Sequence, residues 1–142
     1  NATLKRMLEV RTIAELMGIT TAQKHSVDRD RYITFQQEMV VTDNDATYKM
    51  KPRTLEEAFV YQNFQLFREK TLRFNRIIPA ALDEAYESIY KHVKSSSFKK
   101  TDFAMEMLAS EADWEVPSYI ADGLHWLENR LHPQPLAGQT KL

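Results

Sequence analysis

Apolar positions along this chain fall mostly at three- and four-residue spacing, the period of helices that bury one face. Leu4, Met7 and Leu8 open the pattern. Thr12-Ile13-Ala14-Glu15 has the T-x-x-E form of a capping box, Ile13, Leu16 and Met17 continue the rhythm, and Gly18 stands where a helix would stop. Residues 19–31 are polar and read as loop. The period then changes. Tyr32-Ile33-Thr34-Phe35 and Met39-Val40-Val41 are β-branched and aromatic, Thr42-Asp43-Asn44-Asp45 is turn chemistry, and Ala46 to Met50 returns as a strand. A hairpin is predicted here. After Pro52 the helical period resumes. Thr54-Leu55-Glu56-Glu57 is a second T-x-x-E box. Pro79 reads as a first-turn proline for a helix carrying Ala81, Leu82, Ala85, Tyr86, Ile89, Tyr90 and Val93, which Ser95-Ser96-Ser97 ends. Phe103, Ala104, Met107 and Leu108 mark a shorter helix, and Pro117 opens a last one through Ile120, Leu124, Leu127 and Leu131. Gly123 inside that helix costs about 1 kcal/mol relative to Ala, which points to close packing or bending there. The pattern predicts an α+β fold, mostly α-helical, with one small β-hairpin. Residues 1–131 read as one region and 132–142 as a loose C-terminal tail.

Composition narrows the class. With 142 residues and 43% hydrophobic side chains the chain can bury a core. Three glycines and no cysteine exclude Gly-rich phosphate cradles, disulfide scaffolds, zinc ribbons and thiol nucleophiles. No apolar run approaches the roughly 18–20 residues of a membrane span, so a cytoplasmic protein with no membrane partner is expected. The chain opens Asn1-Ala2 without an initiator methionine, as a processed product, a part of something longer or a tag remnant would.

The net charge of −1 hides an uneven distribution. Residues 1–67 are neutral overall. Residues 68–100 hold eight basic side chains against four acidic ones, and residues 101–142 hold two against seven. The middle segment, with Arg73, Arg76, Lys91 and Lys94, is therefore the candidate surface for a polyanion such as DNA. An ordinary solvated helical face accounts for the same charges equally well.

Complete catalytic motifs are absent from the sequence. Asp28-Arg29-Asp30 and Asp43-Asn44-Asp45 have metal-pair spacing, but the first follows a polar loop and the second sits at a turn, where Asp serves local hydrogen bonding. His25, His92, His125 and His132 include no i, i+4 pair. Glu57 is explained by its box with Thr54. Glu56 is not, and it reads either as a first-turn acid at the positive end of a helix or as one oxygen ligand of a divalent cation.

Several short stretches occur in a suggestive order: Asn1 to Lys5, Arg31-Tyr32-Ile33-Thr34-Phe35-Gln36, Arg53-Thr54-Leu55-Glu56-Glu57-Ala58-Phe59, Lys100-Thr101-Asp102-Phe103-Ala104, and Trp114 to Ile120 with Gly123-Leu124 and Trp126-Leu127. The series resembles the carboxy-terminal part of the overcoming-lysogenization-defect (OLD) nucleases, the family that includes the nuclease subunit of Gabija-type antiphage systems. The resemblance implies the end of a Toprim nuclease domain plus the helical region built onto it, in a longer protein with an ABC-type ATPase domain that binds ATP. Arg53-Thr54-Leu55-Glu56 departs from the family's usual Arg-Ser-Phe-Glu at two positions. The resemblance assigns Glu56 to the metal site and Lys100 to catalysis. It implies Mg²⁺ or Mn²⁺ as cofactor, with the main acids upstream of Asn1, DNA as substrate, the upstream ATPase and Toprim portions as partners, and a homo-oligomer formed through the parent protein. On that reading this segment alone does not cleave DNA. The rival expectation is a non-enzymatic helical module for assembly or DNA positioning.

Overall fold

The hairpin forms where the sequence places turn chemistry between two short strands. A computed structural model describes residues 2–20, 31–69, 74 and 77–132. In it β1 (Met39–Asp43) pairs antiparallel with β2 (Ala46–Met50), Asp43 opposite Ala46 and Met39 opposite Met50. The two-residue connection leaves Asn44 at φ 50°, a left-handed conformation that Asn tolerates better than most side chains. Alternation then sends Val41 and Met50 into the core and leaves Val40 in solvent.

Seven helices accompany the hairpin among the described residues: α1 (Ala2–Met7), α2 (Ile13–Met17), α3 (Leu55–Gln62), α4 (Phe64–Glu69), α5 (Leu82–Lys94), α6 (Lys100–Ala109) and α7 (Ser118–Leu131). The fold is α+β, about half helical, with a two-stranded antiparallel hairpin. No described helix is long and apolar enough to cross a membrane.

Packing divides the chain into two compact units: residues within 36–117, and residues within 1–35 together with 118–142. The 36–117 unit holds the hairpin and α3 to α6. Its core is aromatic: Phe67 meets Phe59 and Phe74 edge-on and stacks on Phe103, while Phe74 meets Phe98 and His92 edge-on. Edge-to-face pairs of this kind add about 0.5–1.5 kcal/mol each beyond the area they bury. Val60, Ile89 and Met50 close the same core.

The smaller unit is built differently. Leu8, Leu16, Ile19 and Phe35 form a separate cluster, with Val10 and Ile33 against it. Tyr32 to Phe35 therefore do not extend the hairpin as predicted: their apolar side chains are used in this cluster, and Tyr32 stacks on Trp126 at 5.4 Å and donates to Asp122 at 3.0 Å. Gly123 of α7 lies against Thr34, whose Cγ2 would stand 3.3 Å from an added Cβ. This is the close packing the glycine suggested.

Three helix boundaries differ from the sequence reading. Helix α5 begins at Leu82, because Ala81 is the cap and its carbonyl accepts the first bond, from Ala85 at 2.9 Å. Pro79 thus lies outside the helix, where its carbonyl accepts from Arg68 Nη2 at 2.8 Å. Helix α6 starts at Lys100, two residues before the start that Thr101, the residue with cap chemistry in this stretch, would set. The Phe103 N–H bonds the Lys99 carbonyl at 3.1 Å, so Lys99 is the cap and Lys100 the first helical residue. The run after Pro52 breaks at Asn63, which ends α3. Its side-chain amide donates to the Glu115 carbonyl at 2.8 Å and its Oδ1 accepts from the Glu115 N–H at 2.6 Å, which fastens the 113–117 segment to the α3–α4 junction.

Candidate active site

The second T-x-x-E box sets two adjacent carboxylates in opposite circumstances. Thr54 caps α3 through its hydroxyl, which accepts from the Glu57 N–H at 3.2 Å. The first helical turn then places Glu56 and Glu57 on different faces of the helix, because consecutive residues lie about 100° apart.

Glu57 is fully buried and fully used. Its Oε2 accepts from the Arg53 N–H at 2.9 Å, so the box closes one residue earlier than the usual pattern, in which the N-cap N–H itself is the donor. Its Oε1 accepts from Arg53 Nε and Nη2 at 3.1 and 2.9 Å and from the Tyr61 hydroxyl at 3.0 Å. The Arg53 guanidinium is held in turn over the Tyr90 ring at 3.4 Å and the Tyr86 ring at 4.5 Å. Burial, then the neighbouring Glu57 charge, pushes the Tyr61 phenol well up, so it remains a donor. Apart from a 3.9 Å approach of Arg53 Nη1 to Glu87 Oε1, the partners of this cluster lie inside it, which makes it structural.

Glu56 is buried but under-used. Its side chain is 7% exposed, and its Oε1 meets the Lys100 ammonium at 3.0 Å. Its Oε2 is buried and makes no hydrogen bond to any described residue. Burial pushes this carboxyl up, but its own backbone N–H, the Lys100 ammonium and the Thr54 hydroxyl together hold it below the ordinary range, so it is ionised near neutral pH. Lys100 stands at the first position of α6 with its side chain 69% exposed. The fold of the 36–117 unit thus joins two side chains 44 positions apart, one an anion with a spare buried oxygen and the other a cation facing solvent.

Arg73 and Arg76 lie outside the described residues, as do Asp28 and Asp30. Lys91 lines an open cleft of about 590 Å³ together with Asp83, Glu84 and Glu87 of α5 and with Tyr48 and Tyr86, an acidic setting unlike a phosphate track. Lys94 folds back onto Tyr90, 2.8 Å from its hydroxyl. Arg68, counted in the basic segment, binds Asp43 at 3.0 Å. That contact, with Gln65 on the other Asp43 oxygen at 3.1 Å, gives the Asp43-Asn44-Asp45 turn a structural role. Among the described residues no group of three His, Asp or Glu side chains could hold a metal ion. Sequence reasoning missed the Arg53–Glu57–Tyr61 cluster and the Asn63 clamp. The i, i+4 spacing of Arg53, Glu57 and Tyr61 was the available signal for the first.

No protein-family model, curated protein or solved structure matches this chain.

Proposed function

We propose that this chain is the C-terminal segment of a metal-dependent DNA endonuclease of the OLD and Toprim type, joined in a longer protein to an ABC-type ATPase and acting against phage or other foreign DNA. The observation that carries this reading is the 3.0 Å approach of Lys100 to Glu56, since these are the two positions to which the sequence resemblance assigns site roles. The unpartnered, buried Oε2 of Glu56 suits a hard cation that takes oxygen ligands. One carboxylate is one ligand, so the remaining acids belong to the upstream part of the protein.

In this mechanism Glu56 is fixed by its place in the first turn of a capped helix and presents an ionised oxygen without a rotamer search. Lys100, at the solvent edge, offsets negative charge that builds on the phosphate as the scissile bond breaks. Mg²⁺ or Mn²⁺, when bound, supplies the Lewis acidity that activates water. Glu57 holds Arg53 and the start of α3 in place and takes no part in the chemistry.

Metal-dependent cleavage by the full-length protein tests the reading. Glu56→Gln is expected to abolish most cleavage with the melting temperature nearly unchanged, and this segment alone is expected not to cleave. Full activity in Glu56→Gln, or efficient Mn²⁺-dependent nicking by the segment, contradicts it.

A second reading, a helical module without catalysis, draws on α7. Leu124, Leu127 and Leu131 are exposed on it at helical spacing, and no α7 residue is fully buried. It predicts that Leu127→Lys disturbs assembly of the full-length protein and that Glu56→Gln does not affect cleavage.

A further inference from the structure

We infer that the outer edge of β2 takes an extended segment of a partner protein as a third strand, with a basic side chain of that segment seated in the cleft beside Tyr48.

Pairing in the hairpin decides which backbone groups are left over. Asp43 faces Ala46 across a two-residue turn, so Asp43 with Ala46, Val41 with Tyr48 and Met39 with Met50 are the pairs that exchange hydrogen bonds. The backbone groups of Val40 and Thr42 on β1, and of Thr47 and Lys49 on β2, then point away from the opposite strand. The two edges differ. On β1 the Thr42 carbonyl accepts from Gln65 Nε2 at 3.0 Å. On β2 the outward N–H and C=O of Thr47 and Lys49 bond no described residue, and Ala46 to Lys49 are all exposed. Lysine commonly blunts such an edge, but Lys49 reaches across the hairpin to Glu38 at 3.3 Å. One residue beyond β2 the Tyr86 hydroxyl donates to the Lys51 carbonyl at 3.2 Å, which ends the open stretch.

A strand added at Thr47 and Lys49 places one of its residues opposite Tyr48, with its side chain on the face that Tyr48 occupies. That face opens on the cleft of about 590 Å³ that Tyr48 shares with α5. The cleft is lined by the Tyr48 and Tyr86 rings, 6.1 Å apart, and by Asp83, Glu84 and Glu87 against the single ammonium of Lys91. Asp83 and Glu84 pair with no described residue. Aromatic rings beside carboxylates receive a guanidinium or an ammonium, and the Tyr86 ring already holds Arg53 at 4.5 Å. Helix-dipole complementarity accounts for Asp83 and Glu84 in the first turn of α5, but not for the open edge or the tyrosine pair beside it. Backbone pairing thus supplies affinity, and the cleft supplies the choice of a basic residue.

Fluorescence anisotropy tests this with the full-length protein and a labelled peptide of about seven residues, alternating threonine and valine around one central arginine. Saturable binding is expected, weakened by about tenfold or more when glutamate replaces the arginine. Thr47→Pro removes an outward N–H where an edge strand tolerates proline, and should cut affinity by about tenfold or more. Val40→Pro makes the same change on β1 and should leave binding unaltered, which separates a lost edge from a weakened hairpin. Glu84→Lys keeps the edge and should shrink the preference for arginine over glutamate. No saturable binding below about 1 mM overturns the inference, as do equal losses in the two proline variants or an arginine preference that Glu84→Lys leaves intact. Self-association of the protein that Thr47→Pro abolishes overturns it as well, by giving the edge to a second copy. None of these measurements involves cleavage, so the inference stands or falls apart from the nuclease reading.

Discussion

The chain uses the same four-residue signature to start two helices, and the two outcomes differ. At α2 the Thr12 hydroxyl accepts from the Glu15 N–H at 3.1 Å and the Glu15 carboxylate takes the Arg11 N–H at 2.7 Å, all on an exposed surface. At α3 Thr54 and Glu57 repeat this geometry, with Arg53 in the place of Arg11, but Glu57 is fully buried and also binds the Arg53 guanidinium and Tyr61. The box is thus a local device, and what encloses it decides its worth. At α2 it starts a short helix beside a small cluster of Leu8, Leu16, Ile19 and Phe35. At α3 the same bonds sit on an aromatic core, and the neighbouring Glu56 is carried into a position where only one of its oxygens is satisfied.

The comparison sets an order of effects. Glu57→Ala breaks a buried, hydrogen-bonded ion pair and leaves Arg53 and Tyr61 without their acceptor, so it should cost about 3–5 kcal/mol in denaturant unfolding. That exceeds the ~0.5–2 kcal/mol of a lost cap alone. A cost near 1 kcal/mol would mean that the Arg53–Tyr61 cluster adds nothing beyond the cap.

Thr54→Ala removes only the cap bond and should cost about 1 kcal/mol, while Thr12→Ala at the exposed box should cost less. Equal costs at the two positions would show that burial does not amplify the box.

Acid sharpens the contrast further. Glu56 is held below its ordinary value, so the folded state binds fewer protons than the unfolded one as pH falls below the ordinary carboxylate value of about 4.3. Its contribution is present above that value and is lost as pH drops through the folded one. Glu56→Gln should remove a small contribution from the neutral range and so flatten the loss of stability below about pH 4. An unaltered acid limb would mean that Lys100 does not stabilise the ionised form.

Gly123→Ala should have the smallest effect. The gain of about 1 kcal/mol in helix propensity is offset by the new Cβ pressing on Thr34, so stability should stay within about 0.5 kcal/mol of the parent. A full gain would show that Thr34 moves aside without cost.

Local signals in the sequence were legible and non-local ones were not. Helical period, the two T-x-x-E boxes, the Asn44 turn and the stop at Ser95 follow from spacing and side-chain chemistry within a few residues, and the structure places them accordingly. Tyr32 to Phe35 have strand composition, yet a cluster with Leu8, Leu16 and Ile19 takes their apolar side chains, a competition that only tertiary packing decides. The division into two units was hidden for the same reason, since no linker composition separates residues 35 and 36. The basic excess of residues 68–100 is partly absorbed by contacts with Asp43 and Tyr90, which no count of lysines and arginines reveals. Glu56 and Lys100 were singled out individually, but nothing within either stretch shows that the fold joins them.

Lys100 gives the most direct test of the central claim, that this joined pair belongs to a nuclease site. Single-turnover cleavage and DNA affinity of the full-length protein are measured for Lys100→Ala, with Lys99→Ala as the neighbouring control. A contact made in the transition state predicts that Lys100→Ala slows cleavage by about 100-fold or more with little change in DNA affinity, while Lys99→Ala leaves the rate nearly unchanged. Equal, binding-only effects of the two substitutions would contradict the account and reduce the Lys100–Glu56 contact to a surface ion pair.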